Sequence, residues 1–345
     1  MRALTTLLLL AAAPVATALL RPPPLGRVAA PRRALASRAH RHLVVAQASP
    51  FDELIGAIEN MVTPKAGKGT DGWGPEDTVA VIGASGNVGR LAAVRLADIG
   101  ACKVRAVSRD GDRAAGFLNE LAPEIEVVTA DTKDPASLAE ALAGVSGLIV
   151  CTGTTAFPTL AWRGGNTPDA VDNLGIVNLL EAWKEARAAE GGKAKRLVLM
   201  SSIGVERRKD FPFVILNAAG VLDAKAKGEA AVRAANEDGW LDSYAIVRPG
   251  QLIGGPYDNN YYLGTIAKLD RPARSVLQWD DSPRQAVSIS PGDNALGDTL
   301  RSTVAGVVVS SLMDVSSNSD VAVVNEEGAA PSDGELLEML VEASA

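Results

Sequence analysis

The chain of 345 residues predicts an α/β domain built on one doubly wound parallel sheet. Three observations carry that expectation. From Thr78 onward, short apolar runs alternate with helix-length segments, the pattern of strands joined by helical crossovers. The first apolar run feeds directly into three glycines spaced three apart, Gly83, Gly86 and Gly89. Aromatic residues make up only 4% of the chain while Ala and Val are abundant, which suits a closely packed sheet core and not a base-stacking or carbohydrate surface.

The elements follow in order. Thr78 to Ile82 is apolar or β-branched throughout, as a strand covered on both faces must be. After the glycine turn, Val88, Leu91, Ala92, Leu96 and Ile99 mark one helical stripe, broken at Gly100. Residues 103–109 form the second strand, 125–129 the third and 147–151 the fourth. A helix starting at Asp134 or Pro135 and ending at Leu142 separates the last two. A longer helix over 168–189 turns Val171, Leu174, Val177, Leu180 and Ala182 toward the sheet. A fifth strand at 196–200, a helix at 224–236, a sixth strand at 243–247 and a late strand at 321–325 complete the pattern. Crossovers of this length are right-handed and place helices on both faces. Residues 78–345 therefore read as a single Rossmann-type domain with a small C-terminal substrate-side region, mainly after residue 250.

Glycines spaced three apart between a strand and a helix suit a dinucleotide for separate reasons. Gly83 lets the chain turn sharply, Gly86 lets the backbone approach a pyrophosphate, and Gly89 lets helix and strand pack closely. The phosphates then meet Ser85, Gly86, Asn87, Val88 and Gly89 at a helix N-terminus, where unpaired N–H groups and the helix dipole favour anions. The end of the second strand bears on which coenzyme fits. An Asp or Glu there accepts hydrogen bonds from a free ribose 2′-hydroxyl, whereas this chain offers Ser108 and Arg109. The guanidinium fork matches phosphate oxygens, so NADP(H) is expected over NAD(H). The alternative leaves Arg109 in solvent and has Asp110 read the ribose.

Residues 1–50 differ from the rest. They hold seven arginines (Arg2, Arg21, Arg27, Arg32, Arg33, Arg38, Arg41), no Lys, and no acidic residue before Asp52. An apolar run from Ala3 to Leu20 carries Ala16-Thr17-Ala18 near its end, and Arg21 to Gln47 is acid-free and rich in Arg, Pro, Ser and Ala. A signal peptide followed by a transit peptide is the two-part address of a secondarily acquired plastid. The expected compartment is the chloroplast stroma, with mitochondrion or secretion as alternatives. At 18 residues the apolar run barely spans a bilayer, and no stable membrane span is expected after processing. Residues 51–77 read as a short amphipathic helix (Leu54, Ile55, Ile58 and Met61 on one face) and a linker.

Removing those seven arginines takes the formal charge from −7 to about −14. A domain that acidic repels nucleic acid and anionic lipid. Both histidines, His40 and His42, lie in the presequence. A mature chain without histidine excludes Ser-His-Asp hydrolysis, cysteine–histidine nucleophiles and His-based metal centres, and no metal site is expected. Cys102 and Cys151 sit in or beside apolar strands and read as small buried hydrophobes, not as a redox pair.

Further motifs follow the glycine turn in order. They are Ala130-Asp131 with Thr132, Cys151-Thr152-Gly153-Thr154, Val171-Asp172-x-x-Gly175-x-x-Asn178-Leu179, Ser201-Ser202-Ile203-Gly204-Val205, Lys225-x-x-x-Glu229 and Arg248-Pro249-Gly250. Over about residues 78–260 the sequence resembles the short-chain dehydrogenase/reductase superfamily, specifically its atypical and extended branches of NmrA-like and plastid NAD(P)-binding proteins. The resemblance implies that Asp131, with Thr132 beside it, bonds the adenine amino group. It implies that Thr152, Gly153 and Thr154 line the ribose and nicotinamide side, and that Lys225 holds the nicotinamide ribose. Ser201 or Ser202 would stand at the catalytic serine, and Pro249 and Gly250 would border the nicotinamide pocket. The plainer alternatives are Asp131 as a helix cap and the two serines as a strand end.

One departure bears on chemistry. In the family a tyrosine four residues before the lysine exchanges the proton, but here Val221 precedes Lys225 and Asp223 precedes Lys227. Neither is a phenol. Tyr257, Tyr261 and Tyr262 cluster just past Arg248-Pro249-Gly250, and a loop tyrosine such as Tyr257 is the candidate replacement, ordinary aromatic packing being the alternative. Arg207, Arg208 and Lys209 either attract an anionic substrate or form a solvated charge run. The expected function is an NADP(H)-dependent oxidoreductase, a plastid reductase passing hydride to a small acceptor such as a quinone, flavin, enone or isoprenoid or tetrapyrrole intermediate. The alternative is an NmrA-like NADP(H) sensor or scaffold that acts through a protein partner without catalysis. A sugar-nucleotide epimerase comes third, weakened by the same missing tyrosine.

Overall fold

The computed structural model describes residues 72–158, 162–254, 284–314 and 317–344. The expected helix at 51–62 and the tyrosines Tyr257, Tyr261 and Tyr262 lie outside the described residues. Strand β1 (Thr78–Ile82) runs through the glycine turn into α1 (Asn87–Ile99), followed by β2 (Lys103–Ser108) and α2 (Gly111–Leu121). Next come β3 (Glu126–Thr129), α3 (Pro135–Leu142) and β4 (Val145–Val150). The expected long helix starts with one turn in the wider π register (Asp169–Leu174) before continuing as α4 (Gly175–Ala189). Then follow β5 (Ala194–Met200), the short α5 (Phe213–Leu216), α6 (Val221–Glu237) and β6 (Leu241–Pro249). The remaining elements are β7 (Gln251–Ile253), β8 (Ala286–Pro291), β9 (Asp298–Leu300), α7 (Arg301–Met313), β10 (Ser319–Glu326) and α8 (Asp333–Ser344).

Local chemistry sets the boundaries. Gly100, at φ +66°, ends α1, because a left-handed residue after the last turn suits glycine. Asp110 accepts from the Arg113 N–H and caps α2, and Asp134 caps α3 with Pro135 in its first turn. The eight strands of the main sheet lie in the order β3-β2-β1-β4-β5-β6-β10-β8. All pairs are parallel except β10 with β8. That edge departs from the all-parallel expectation, and an antiparallel strand at the margin of a parallel sheet is a common ending.

Alternation along β1 shows why the strand is apolar throughout. Val79 and Val81 join the layer formed with α1, α2, α7 and α8, while Ala80 and Ile82 join the layer formed with α3, α4 and α6. Helix α7 is buried continuously from Val304 to Met313, between the sheet and α1 and α8. At roughly 1.5–3 kcal/mol for each large apolar side chain removed from water, these two layers dominate the stability. The order reverses between β1 and β4, so a crevice opens at their C-terminal ends, where open α/β sheets hold their ligands.

Candidate functional site

The crevice begins at the glycine turn. Gly83 has φ +84°, and a Cβ there would come within 3.2 Å of Cys151 and Thr152, just past the end of the neighbouring β4. The N–H groups of Gly83 and Ala84 donate to the Val107 carbonyl at 2.9 and 3.1 Å, and that of Gly86 to the Gly83 carbonyl at 2.9 Å. A Cβ on Gly89 would overlap the Gly83 carbonyl oxygen, so only glycine lets α1 lie this close to the turn. Helix α1 has no side-chain cap and no acidic residue in its first turn. Among the described residues no group accepts from the amides of Asn87, Val88 or Gly89. The positive end of the helix is therefore open to an anion.

Beyond the turn lie the ends of β2 and β3. Ser108 is buried and donates to the Ser85 hydroxyl at 2.7 Å, while accepting from the Asp110 N–H at 3.1 Å. Arg109 is exposed, and its Nη1 donates to Asn166 Oδ1 at 2.7 Å. The Asp110 carboxylate is turned to the α2 N-terminus. Asp131 accepts from the Lys133 N–H at 3.0 Å and lies 3.7 Å from its ammonium. It does not cap α3, since Asp134 does. Thr132 is buried, its carbonyl accepting from Asn178 Nδ2 at 2.9 Å.

The third part centres on Lys225. Its Nζ donates to Asp172 Oδ1 at 2.8 Å, and both side chains are nearly enclosed. The π-register turn carries Asp172, and α6 approaches it at Gly228, where a Cβ would overlap the Asp172 carbonyl oxygen. Asp172 also accepts from the Thr154 N–H at 3.1 Å and from the Thr154 hydroxyl. A Cβ on Gly153 would stand 3.3 Å from Lys225 Nζ, so glycine admits the ammonium beside the β4 loop. These groups line a small, partly open cleft with Thr152, Ile176, Leu199, Met200 and Ser201. Thr152 Oγ1 is buried without a partner among the described residues, and it is a polar atom suited to a ligand hydroxyl.

The two serines part company. Ser201 lines the cleft and donates to Glu229 Oε1 at 2.6 Å, whereas the Ser202 hydroxyl donates to the Ile203 carbonyl at 3.0 Å. Glu229 is held in turn by Arg248, which is fully buried and reaches it through Nε at 3.0 Å and Nη2 at 2.7 Å. Burial opposes the Arg248 charge, yet Glu229, Asp320 and Glu206 keep its guanidinium above the ordinary arginine range. Pro249 accepts from the Ile203 N–H at 3.0 Å. Gly250 donates to Thr299 Oγ1 at 2.8 Å, and a Cβ on it would overlap the Gly297 carbonyl oxygen.

Val221 lies buried with Ile203, Val205 and Phe213, so an apolar wall stands where the family has its phenol. Asp223 and Lys227 pair outward, with Arg208 and Asp169. Tyr257 lies outside the described residues. Arg207 is not a free substrate attractor, because it donates to Asp293 at 3.0 Å and to the Ala295 carbonyl at 2.6 Å. Asp293 is buried and also accepts from the Gly204 and Glu206 amides at 2.7 and 2.8 Å, which ties down the loop after β5. Sequence reasoning missed this aspartate, since nothing local marks it. Burial pushes both cysteine thiols up to about 12, with Asp77 adding to the effect at Cys102. Among the described residues no cluster could hold a metal ion, and no helix is long and apolar enough to cross a membrane.

A sequence profile described as NAD(P)H-binding matches residues 83–280, starting at the first glycine of the turn. The UPF0659 protein YMR090W of Saccharomyces cerevisiae is 27% identical over 194 residues, covering 56% of this chain and 75% of that protein. A putative NAD-dependent epimerase/dehydratase from Bacillus halodurans superposes with a TM-score of 0.55 at 20% identity, covering 76% of this chain and 100% of its own. A Rossmann-fold NAD(P)-binding family protein from Shigella flexneri gives a TM-score of 0.48 at 15% identity, covering 74% and 98%. The similarity to the Bacillus protein is one of fold.

Proposed function

Because the chain belongs to the NAD(P)H-binding family, we propose that it is an atypical short-chain dehydrogenase/reductase, an NADP(H)-dependent reductase of a small acceptor. The observation that carries this reading is Lys225, an ammonium held by buried Asp172 inside a cleft at the C-terminal ends of the strands. A bound nicotinamide supplies hydride from its C4 carbon. Lys225 then orients the nicotinamide ribose or the acceptor oxygen, Thr152 offers a second polar contact, and Ile176, Leu199 and Met200 exclude water. Val221 has no proton to give, so the acceptor is one that needs little help from an enzyme acid: a quinone, flavin, enone or isoprenoid or tetrapyrrole intermediate. Arg109 at the end of β2, with Asp110 turned away to its helix, supports NADP(H) over NAD(H). The arginine-rich, acid-free presequence supports a plastid address.

The test is NADPH oxidation by a panel of such acceptors, followed at the nicotinamide absorbance band. Lys225→Met should lower kcat/KM by about 10²-fold, with Lys225→Arg between it and the parent. Tight NADPH binding without turnover of any acceptor would replace the reductase by the sensor.

A further inference from the structure

Residues 162–167, between β4 and the π-register turn, reach two cations at the adenosine end of the crevice. Asn166 Oδ1 accepts from Arg109 Nη1 at 2.7 Å, and the Gly164 carbonyl accepts from Lys133 Nζ at 2.9 Å. Gly164 and Gly165, at φ +73° and +76°, make the reversal that presents both acceptors. Trp162 Nε1 donates to Thr155 Oγ1 at 3.1 Å and fixes the near end. Asn166 Nδ2 donates to the Arg163 carbonyl at 2.7 Å, so the amide is held with its oxygen toward Arg109.

We infer that Asn166 is a positioning residue for coenzyme choice: it grips one terminal nitrogen of Arg109 and leaves the Nε/Nη2 edge to fork onto the 2′-phosphate of an adenosine coenzyme. A carboxamide suits the task. It orients the guanidinium without cancelling its charge, whereas a carboxylate would neutralise it and repel the phosphate. Lys133 holds the other end of the same segment in place. This inference rests on the reading of Arg109 given above.

The experiment is calorimetric titration of the full chain with NADP⁺, NAD⁺ and adenosine 2′,5′-bisphosphate. Asn166→Ala should weaken NADP⁺ by about fivefold and Asn166→Asp by at least about twentyfold, with NAD⁺ within about twofold of the parent. The bisphosphate should follow NADP⁺. Lys133→Met, which releases the second anchor, should also lower the NADP⁺/NAD⁺ ratio, and it carries the test if the Asn166 variants do not fold. If Arg109→Ala weakens NADP⁺ selectively but the other variants change neither coenzyme, or both equally, the role of Asn166 is overturned and Arg109 stands. If Arg109→Ala brings no selective loss, the Arg109 reading falls and takes this inference with it.

Discussion

Gly89→Ala adds one methyl group where α1 crosses the turn that ends β1. Besides overlapping the Gly83 carbonyl oxygen, the new Cβ would stand 2.9 Å from the Gly83 carbonyl carbon and 3.1 Å from Ala84 Cα. Carbon pairs rest at about 3.5–4.0 Å, and these neighbours are backbone, so α1 must retreat by roughly 0.6–1 Å. Two effects oppose each other in the protein without ligand. Overpacking costs about 1–3 kcal/mol, while the better helix propensity of alanine returns about 0.8–1 kcal/mol. The net loss is about 1 kcal/mol, a fall of roughly 2–4 °C in Tm. Coenzyme binding loses more, because the Asn87, Val88 and Gly89 amides ride on the displaced helix. Losing two charge-assisted bonds to a pyrophosphate, at about 1.5–3 kcal/mol each, lowers NADPH affinity by about 10²–10⁴-fold. Gly116→Ala is the control, since a Cβ there meets nothing within 4 Å on α2. It should stabilise by about 0.5–1 kcal/mol and leave binding unchanged. Differential scanning calorimetry and NADPH titration of both variants read these quantities. A Gly89→Ala protein that binds NADPH like the parent would refute the seat assigned to the pyrophosphate.

Three further outcomes follow. Glu229→Ala leaves the buried Arg248 without its main partner and should destabilise by about 3 kcal/mol or more in urea unfolding; a loss under about 1 kcal/mol would show that Asp320 and Glu206 suffice. Cys151, buried and with its thiol raised to about 12 by that burial, should resist iodoacetamide at pH 8 in the folded protein and react once it is unfolded, with half-buried Cys102 labelling ahead of it; rapid labelling of Cys151 in the native chain would contradict its burial. Burial alone would raise the Asp77 carboxyl, but Lys195, the Gly74 N–H and Ser146 hold it below the ordinary 3.8. A lowered acid adds stability above its unfolded value and loses it as pH falls through the folded one, so Lys195→Ala should flatten the stability curve below about pH 4, and an unaltered acid limb would count against the pair.

What the sequence made legible was local. The strand, glycine turn and helix over residues 78–99 lie within one stretch, and each glycine answers a contact only a few residues away or on the adjoining strand. The alternation of strands and helices was readable for the same reason, because central strands such as β1 and β4 show their burial on both faces in their own composition. The C-terminal third was harder. Helix α7 is apolar on every side, so it has no stripe to announce it, and β7 and β9 pair across a long separation with three residues each. The site divides in the same way. Lys225 and the serine stretch after β5 stood out as motifs, but the groups that hold them are remote: Asp172 is 53 residues from Lys225, and Asp293 is 89 from Gly204. The wide register at Asp169–Leu174, which sets Asp172 against α6, has no sequence mark that periodicity detects.

These long-range contacts also limit the chemistry. The Ser201 proton is directed to Glu229, itself a carboxylate between the guanidinium groups of Arg248 and Arg233, so toward the cleft Ser201 offers lone pairs and not a donor. Asp172 already accepts from Lys225, the Thr154 amide and the Thr154 hydroxyl. Among the described cleft-lining side chains, that leaves Lys225 and Thr152 to stabilise charge developing on an acceptor oxygen, beside an apolar wall where the family places a phenol. Under the reductase reading, such a cleft can orient and desolvate but can do little to activate a plain ketone. On these groups the acceptor is one already electrophilic when it arrives, so quinones, flavins and enones should turn over and a simple ketone added to the panel should not.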